Sequence, residues 1–306
     1  MHDYESVREG GAGLIDLSAI RGRIRVTGSE AVMFLNGLIT NDMKTLAENQ
    51  WMPAVFPTVQ GRLIGAVRIL RKDPWFLIDT DAASHEAVLK TISKFTLAGD
   101  FKVADVTTET ALLTVQGKRA GEIVQSLGNT DFPIVRATHT GEEGFDLLVE
   151  ASDAASLKEK LTAAGAQVVS LDTFEILRIE AGIPRHGLDM DETNVVLETN
   201  LDDAISYTKG CYLGQEIIVR IKHRGHVAKK LTGMKFDNSV EPGAVQSPDG
   251  KEIGRITSVA YSPKLASTVA LGYLRYEYLP AGTAVKVGDI AGTVADLPFV
   301  RGSWYE

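Results

Sequence analysis

The chain has very little cysteine, no long apolar run and no excess of positive charge. Cys211 is the single cysteine in 306 residues, so no intrachain disulfide can form, which fits a reducing compartment. No apolar stretch approaches the roughly 20 residues that a bilayer-spanning helix needs. The opening residues, MHDYESVREGG, are polar and acidic, unlike a secretory signal. We therefore expect a cytoplasmic protein that does not associate with membranes.

The charge balance argues against general nucleic-acid binding. The formal net charge is −8, and an acidic surface repels phosphate backbones. One basic stretch, RIKHRGHVAKK at residues 220–230, departs from this balance. Such a stretch is typical of a solvated strand and turn. In an acidic chain it is also the place where an anionic ligand or partner would dock.

The order of elements predicts an α+β region followed by a small antiparallel β-barrel. Length alone predicts two or three domains. Strand patterns at residues 23–27, 63–70 and 75–79 alternate with helical patterns at 84–97, 119–127 and 153–164. Ser29 is predicted to cap one helix, and Asp172 with Glu175 to form a capping box at the start of another. From about residue 226, short strands alternate with glycine and proline turns, a pattern that favours a barrel.

The most distinctive segment is KGCYLGQE at residues 209–216. Its glycines allow a tight turn and a close approach to a ligand. A thiol becomes a nucleophile or ligand mainly as the thiolate, which a cation such as Lys209 favours. If Gln215 begins a helix, the helix dipole acts in the same direction. The alternative is a buried and inert Cys211, and the residues alone leave both interpretations open.

This octapeptide resembles the K-G-C-[FY]-x-G-Q-E signature of YgfZ proteins, a branch of the YgfZ/GcvT family. Residues 13–46, RIEAGIP at 178–184, RGHV at 224–227 and ALGY at 270–273 resemble further family segments in the same order. The resemblance implies a three-part ring around a central channel that holds folate. It places a folate-binding α+β region at residues 1–225, with about 46–104 inserted as a second subdomain, and the β-barrel at 226–306.

Two departures separate the chain from the glycine-cleavage aminomethyltransferases of the same family. Those relatives carry an aspartate in a Gly-Gly-x-x-Asp-Asp element near the reacting nitrogen, whereas the corresponding Gln60–Gly65 segment has no carboxylate. They also usually carry Asp-Phe where this chain has Cys-Tyr. Both departures favour the YgfZ branch.

The resemblance assigns ligand-binding roles to several residues. Glu180 is expected to recognise the pterin, because one carboxylate can accept from its paired N–H donors. The alternative is a surface glutamate paired with Arg178 or Arg185. We predict that the folate site also includes Arg178, Tyr212 and Gln215.

Arg220 and Lys222 are expected to meet the glutamate tail of folate, where carboxylates need cations. The alternative is that both belong to the solvated face of the basic stretch. Cys211, His223 and His226 would be chemically sound metal ligands. A single trio is nevertheless weak beside the paired spacings of structural zinc sites, and we expect no resident metal.

The resemblance implies a tetrahydrofolate-binding accessory protein for iron–sulfur cluster assembly or repair, with an indirect influence on tRNA modification. Cys211, near the folate site, would be its functional thiol, assisted by Lys209. Its partners would be folate and, transiently, iron–sulfur enzymes or assembly proteins, and the chain would be a monomer. One alternative is a folate-dependent aminomethyltransferase or demethylase acting on a small methylated amine. Another is a scaffold without catalytic activity.

Overall fold

The computed structural model describes residues 2–306, apart from the side chain of Arg224. The helices are α1 (His2–Arg8), α2 (Ala31–Leu38), α3 (Ala82–Ser93), α4 (Ala120–Gln125), α5 (Ala154–Ala163), α6 (Leu171–Glu180) and α7 (Gln215–Arg224). The strands are β1 (Gly13–Asp16), β2 (Arg21–Thr27), β3 (Trp51–Pro57), β4 (Leu63–Lys72), β5 (Trp75–Asp81), β6 (Lys102–Asp105), β7 (Thr110–Gln116), β8 (Ile134–Arg136), β9 (Gly144–Glu150), β10 (Gln167–Val168), β11 (Lys229–Phe236), β12 (Gly243–Gln246), β13 (Glu252–Ser262), β14 (Ser267–Arg275), β15 (Ala284–Val287) and β16 (Ile290–Ala295). Within the described residues, no helix is long and apolar enough to cross a membrane.

The first sheet has the order β3-β4-β5-β2-β6, with antiparallel neighbours throughout. Most of β4 alternates buried and less buried residues, as expected of a strand with one covered face. Helices α2 and α3 supply Leu35 and Val88 to a core that also contains Ile24 and Ile69. This core covers one face of the sheet, while the other face carries the charged residues of the site described below.

The second sheet has the order β10-β1-β7-β9-β8, with β1 and β10 parallel and the other pairs antiparallel. Helices α4 and α5 pack on one face, and α1 and α6 pack on the other. The first sheet is therefore an insertion between β1 and β7, and it spans residues 21–105. It begins earlier than the predicted residue 46, because β2 pairs between β5 and β6. The order of strands along the chain does not reveal this pairing.

The C-terminal strands form a closed barrel with the order β11-β14-β13-β12-β15-β16, since β11 pairs with both β14 and β16. Its interior is filled by apolar side chains that include Met234, Phe236, Val245 and Ile253. Closure leaves no free sheet edge. The predicted α+β fold with a C-terminal antiparallel barrel is confirmed.

Two predicted helix caps differ from the observed ones. The backbone N–H and the hydroxyl of Ser29 both donate to Asp100, each at 2.8 Å, and Glu30 precedes α2 instead. Helix α6 begins at Leu171, with Ser170 accepting from the backbone N–H of Thr173. Both serines lie close to the predicted boundaries, where sequence patterns are least informative.

The segment between α6 and α7, residues 181–214, connects the three parts of the molecule. Its backbone bonds to the first sheet, where Leu63 donates to Asn194 at 3.0 Å and Val196 donates to Gly61 at 3.1 Å. The side chain of Asn200 donates to the Leu231 carbonyl of the barrel at 2.8 Å. This segment therefore fixes the barrel relative to the first sheet and forms one wall of the space between them.

Candidate functional site

A central pocket of about 570 Å³ lies where the two sheets, the 181–214 segment and the C-terminal residues meet. This volume is within the range of small-molecule sites in proteins. Strand β4 contributes Ala66 and Arg68, and the 181–214 segment contributes Asp202 and Asp203. Trp304 and Tyr305 complete the lining at the C-terminal end. The pocket therefore combines charged, apolar and aromatic surfaces.

One wall carries a fixed network of buried charges. Arg21 donates to both carboxylate oxygens of Asp79, at 3.0 and 2.8 Å, and to Asp81 at 2.7 Å. Arg68 donates to Asp79 at 2.5 and 3.0 Å. Burial acts to raise the pKa of Asp79, but the two guanidinium groups outweigh it and hold that pKa below its usual range. The carboxylate consequently stays charged and holds Arg21 and Arg68 in position at the pocket.

Local sequence explains this network. Asp79 and Asp81 are two residues apart on β5 and so share one face of the sheet. Arg68 lies directly opposite Asp79 in the β4–β5 register. The two carboxylates follow the apolar run Trp-Phe-Leu-Ile on this strand, a signal for a functional or structural network that the sequence reasoning missed.

The C-terminal aromatic residues are held in place by specific contacts. The Arg136 guanidinium stacks on the Trp304 ring at 4.0 Å. The Ser303 hydroxyl donates to Glu142 at 2.6 Å, and the Trp304 backbone donates to the Gly141 carbonyl at 3.2 Å. These bonds attach the last residues to the second sheet, so that two rings face the pocket.

Asp202 and Asp203 line the opposite wall. Both side chains are exposed. The surrounding protein partly desolvates the Asp203 carboxyl and, together with the charge of Asp202, raises its pKa. Asp202 lies 3.7 Å from the Lys230 ammonium. The sequence reasoning did not select these two aspartates, which offer the pocket acidic groups that are not enclosed by protein.

His139 also lines the pocket and is oriented by Asp146. Its Nε2 lies 2.9 Å from the Asp146 carboxylate, which also accepts from Arg68 at 2.8 Å. Burial, assisted by the cations of Arg68 and Arg21, outweighs the attraction of Asp146 and lowers the pKa of His139. The imidazole is therefore neutral near pH 7.

This environment makes stability depend on pH. Burial also lowers the pKa of His186, against the opposing charge of Asp81. In the unfolded chain both histidines bind protons near pH 6.5, whereas in the folded chain they do so only at lower pH. Below pH 6.5 the unfolded state holds more protons, so stability falls as pH falls.

We expect the free energy of unfolding to decrease between pH 7.5 and 5.5 by about 1 kcal/mol per buried histidine. Urea unfolding at both pH values measures this change. It should be smaller in His139→Gln and unaltered in the exposed-site variant His223→Gln.

Cys211 is exposed on the turn that precedes α7. Gln215 begins this helix, as predicted, and Gly214 before it has φ 77°. A Cβ at Gly214 would lie 2.4 Å from the Thr58 carbonyl oxygen, so only glycine fits there. Cys211 is therefore not buried, and its thiol is accessible to solvent, but it does not line the central pocket, near which it was expected.

Lys209 is buried, and its ammonium group is fully engaged. Its Nζ donates to the carbonyls of Asn36, Ile39 and Asn41 at 2.7, 3.0 and 2.6 Å, at and just beyond the end of α2. Burial lowers the pKa of Lys209 to about 8. An ammonium group has three donors, and all are used here. The observed contacts make Lys209 an anchor of the Cys211 loop, and its predicted assistance to the thiol has no direct contact to support it.

The other residues predicted from the cysteine motif and basic stretch lie in different places. Tyr212 packs into a core and is 6% exposed, while Gln215 is half-buried at the helix start. Neither lines the central pocket. Lys222 lines a neighbouring cavity of about 150 Å³, together with Asp202, which both cavities share. Arg220 is exposed on α7 and lines neither cavity.

Glu180 is enclosed by protein. Its carboxylate accepts from Tyr4 at 2.7 Å, from Ser262 at 2.5 Å and from Arg8 at 3.0 Å, and its exposed fraction is 0%. These bonds join α1, α6 and the barrel. A pterin would reach Glu180 only if this network opened. The predicted pterin contact therefore stays a prediction that the observed arrangement does not support.

Arg178 is enclosed in the same way. It donates to Asp189 at 2.5 Å, to Glu175 at 2.8 Å and to Ser258 at 2.8 Å. Its side chain is 1% exposed, and its bonds connect α6 to β13. This arginine is positioned to hold the barrel against the α+β region, and its predicted ligand contact lacks geometric support.

The segment at Gln60–Gly65 has no room for a carboxylate at its last position. A Cβ on Gly65 would lie 2.5 Å from Val88 and 3.2 Å from Ser84 of α3. Ile64 is a partly buried residue that packs against the core of the first sheet. Within residues 2–306, no cluster of three or more His, Cys, Asp or Glu side chains is arranged to hold a metal ion.

Comparisons with known proteins agree with this architecture. Residues 1–209 match the family described as the GCVT N-terminal domain, and residues 229–301 match the glycine cleavage T-protein C-terminal barrel domain. An aminomethyltransferase of Rubrobacter xylanophilus is 30% identical, with 98% of this chain and 86% of the relative covered. A chloroplastic Arabidopsis thaliana protein, provisionally named a transferase, is 28% identical, with 95% of this chain and 72% of the relative covered.

A solved structure shows the same fold over almost the whole chain. The glycine cleavage system aminomethyltransferase T from Bartonella henselae superposes with a TM-score of 0.90 at 25% identity. The superposition covers 99% of this chain and 90% of the other. The expected three-part architecture is confirmed by this similarity.

Proposed function

This chain belongs to the GCVT family, and we propose that it is a tetrahydrofolate-binding protein of the YgfZ branch. In this proposal it assists iron–sulfur cluster assembly or repair, and so influences tRNA modification indirectly, with Cys211 as its functional thiol. Its proposed partners are a reduced folate and, transiently, iron–sulfur enzymes or assembly proteins. The proposed compartment is the cytoplasm, and the proposed state is a monomer. The central pocket is the observation that carries the folate part of this proposal.

The residues of the pocket fit the chemistry of a reduced folate. Asp202 and Asp203 offer carboxylates to N–H donors of a pterin, where charge-assisted bonds are strong. Trp304 and Tyr305 offer aromatic surfaces for flat rings. Lys222, in the adjoining cavity, offers a cation to carboxylates of the glutamate tail. A reduced folate, when bound, would supply a carrier for a one-carbon unit.

Two observations support the YgfZ branch over the glycine-cleavage transferases. The first is the close packing of Gly65 against α3, which leaves no space for a side chain at the last position of this segment, where the resemblance aligns an aspartate of those relatives. The second is the solvent-exposed thiol of Cys211 in place of their usual aspartate. An exposed thiol is free to meet a partner protein or to act as one transient ligand of a cluster, whose remaining ligands must come from elsewhere.

Filling the pocket should weaken folate binding. Ala66 lines the pocket from β4, so Ala66→Phe would place a ring in the space that the ligand needs. We expect the dissociation constant for tetrahydrofolate to rise at least about tenfold, roughly 1.4 kcal/mol of binding free energy. Isothermal titration calorimetry under reducing and anaerobic conditions measures the dissociation constant of the variant and of the unaltered protein.

Ala155→Phe is the control for this experiment, because Ala155 is exposed on α5 and does not line the pocket. It should bind tetrahydrofolate like the unaltered protein. Equal binding by Ala66→Phe would place the ligand elsewhere. No binding by the unaltered protein would refute the folate proposal and favour a scaffold.

An aminomethyltransferase or demethylase is the second candidate, because several relatives at 27–30% identity are named aminomethyltransferases. A direct assay separates the two candidates. The purified protein would be incubated with tetrahydrofolate and small methylated amines, and formation of methylenetetrahydrofolate would be followed. Turnover that Cys211→Ala retains would favour the transferase over the accessory protein.

A further inference from the structure

His139 has one ring nitrogen held by the protein and one that is free. Its Nε2 faces the Asp146 carboxylate at 2.9 Å. Within residues 2–306, the structure shows no hydrogen bond to its Nδ1, and this atom is not among the fully buried polar atoms without a partner. The side chain is 11% exposed, and it lines the central pocket. Nδ1 is therefore not enclosed by protein, and His139 borders two cavities, the central pocket and a smaller one of about 50 Å³ that Phe174 and Arg178 also line.

The position of the ring proton follows from the neighbours of Nε2. Two groups lie against Nε2, an Asp146 carboxylate oxygen at 2.9 Å and the Arg68 Nη1 donor at 3.1 Å. An unprotonated Nε2 would place its lone pair against the carboxylate oxygen at the shorter distance, which is repulsive, whereas Arg68 Nη1 has its own acceptor in the other Asp146 oxygen at 2.8 Å. A protonated Nε2 donates to Asp146, while Arg68 donates to the other oxygen of the same carboxylate. We assign the proton to Nε2 on this basis. In a neutral ring this leaves a lone pair on Nδ1, as in other sites where a carboxylate orients a histidine.

We propose that Nδ1 of His139 is a proton and hydrogen-bond acceptor for an N–H group of the molecule bound in the central pocket, with Asp146 as its positioning residue. The ligand class is an amine or pterin nitrogen that carries hydrogen. When His139 takes the proton, the N–H bond of the donor breaks and its electron pair stays on that nitrogen. An N–H bond forms at Nδ1, and Asp146 stabilises the resulting imidazolium. The identity of the ligand rests on the proposed function, whereas the assignment of the ring proton to Nε2 does not.

His139 is on the loop between β8 and β9, in the second sheet. Charged groups surround the histidine. Asp146, Arg68 and Arg21 act on its titration directly, and the groups around them are Asp79, Asp81, Arg178 and Arg185. Asp202 and Asp203 line the same pocket and also contribute. A pH profile must therefore be compared with that of a variant at His139 itself.

The state of the ring can be tested without folate. Long-range ¹H–¹⁵N correlation spectra of the histidine rings, with His139 assigned by its loss in His139→Gln, should show a protonated Nε2 and a bare Nδ1 at pH 7.5. Asp146→Asn should lower the pKa of His139, because it removes the carboxylate that favours the imidazolium. Diethyl pyrocarbonate should modify His139, as mapped by mass spectrometry, and do so more slowly in Ala66→Phe. A ring protonated at Nδ1, or a His139 that the reagent does not reach, would overturn the inference.

Binding then tests the role toward the ligand. By calorimetry, His139→Gln should weaken tetrahydrofolate binding about three- to tenfold at pH 7.5, the usual effect of losing one hydrogen bond. Glutamine can keep the donor to Asp146 but not the acceptor at Nδ1. The affinity of the unaltered protein should also fall as the pH drops below 6.5, and that fall should be smaller in the variant. Unchanged affinity and an unchanged pH profile in His139→Gln would refute the acceptor role while leaving the folate proposal intact.

If the unaltered protein binds no tetrahydrofolate, the proposed function fails, and the acceptor role toward that ligand fails with it. The spectra and the reagent would still decide the state of the ring.

Discussion

Glu180→Gln is expected to lower the free energy of unfolding by about 3 kcal/mol, because it breaks a buried ion pair from one side. Glutamine has nearly the same shape but no charge. Its amide oxygen can still accept from Arg8, but its amide nitrogen finds acceptors only if the Tyr4 and Ser262 hydroxyls, which now donate, rotate to accept. Arg8 keeps its bond to Glu142 at 2.9 Å, so its charge is not left wholly uncompensated. Urea unfolding measures the effect, and we expect the midpoint of the variant at a lower urea concentration.

The same variant separates the structural role of Glu180 from the ligand role predicted by its sequence element. If the carboxylate only joins α1, α6 and the barrel, folded Glu180→Gln should bind tetrahydrofolate within twofold of the unaltered protein. Glu122→Gln, on the exposed surface of α4, controls for the loss of a carboxylate and should not change stability measurably. Normal stability combined with a tenfold loss of affinity would show that Glu180 meets the ligand after all.

Much of the fold is readable from sequence because its signals are local. The predicted strands at 63–70 and 75–79 correspond to β4 and β5, which differ from the prediction by two residues at one end. Alternation and glycine turns between residues 226 and 306 predict the barrel strands in the same way. Sheet membership is not local, since β2 pairs with β5 more than 50 residues later. For this reason the insertion was predicted to begin at residue 46 and not at 21.

The candidate site was less predictable, because its geometry depends on distant partners. The Cys211 turn and the start of α7 follow from nearby glycines and were predicted in place. The environment of Glu180 cannot be predicted from nearby residues, because its partner Arg8 is 172 residues away in the chain. Arg68 and Asp146 are 78 residues apart and meet only when the two sheets come together. A sequence motif shows that a residue matters to its family, but not whether its charge faces a ligand or a neighbouring helix.

Cys211→Ala is expected to abolish biological function while leaving structure and folate binding intact. The thiol is exposed and lies outside the central pocket, so its removal creates no cavity and breaks no ligand contact. Unfolding by urea and tetrahydrofolate binding should therefore match the unaltered protein. In cells that lack this protein, the variant should fail to restore the activity of iron–sulfur enzymes, because the proposed role requires a thiolate.

Two further variants make this result specific to sulfur chemistry. Cys211→Ser keeps the size and polarity of the side chain but lacks a thiol, so it should fail in the same assay. Glu216→Gln changes an exposed side chain on the adjoining turn of α7 and should restore enzyme activity fully. Full restoration by Cys211→Ala would remove the thiol from the mechanism and leave the folate pocket as the functional element. Failure of all three variants would indicate that this surface is a protein-binding site in which the sulfur has no chemical part.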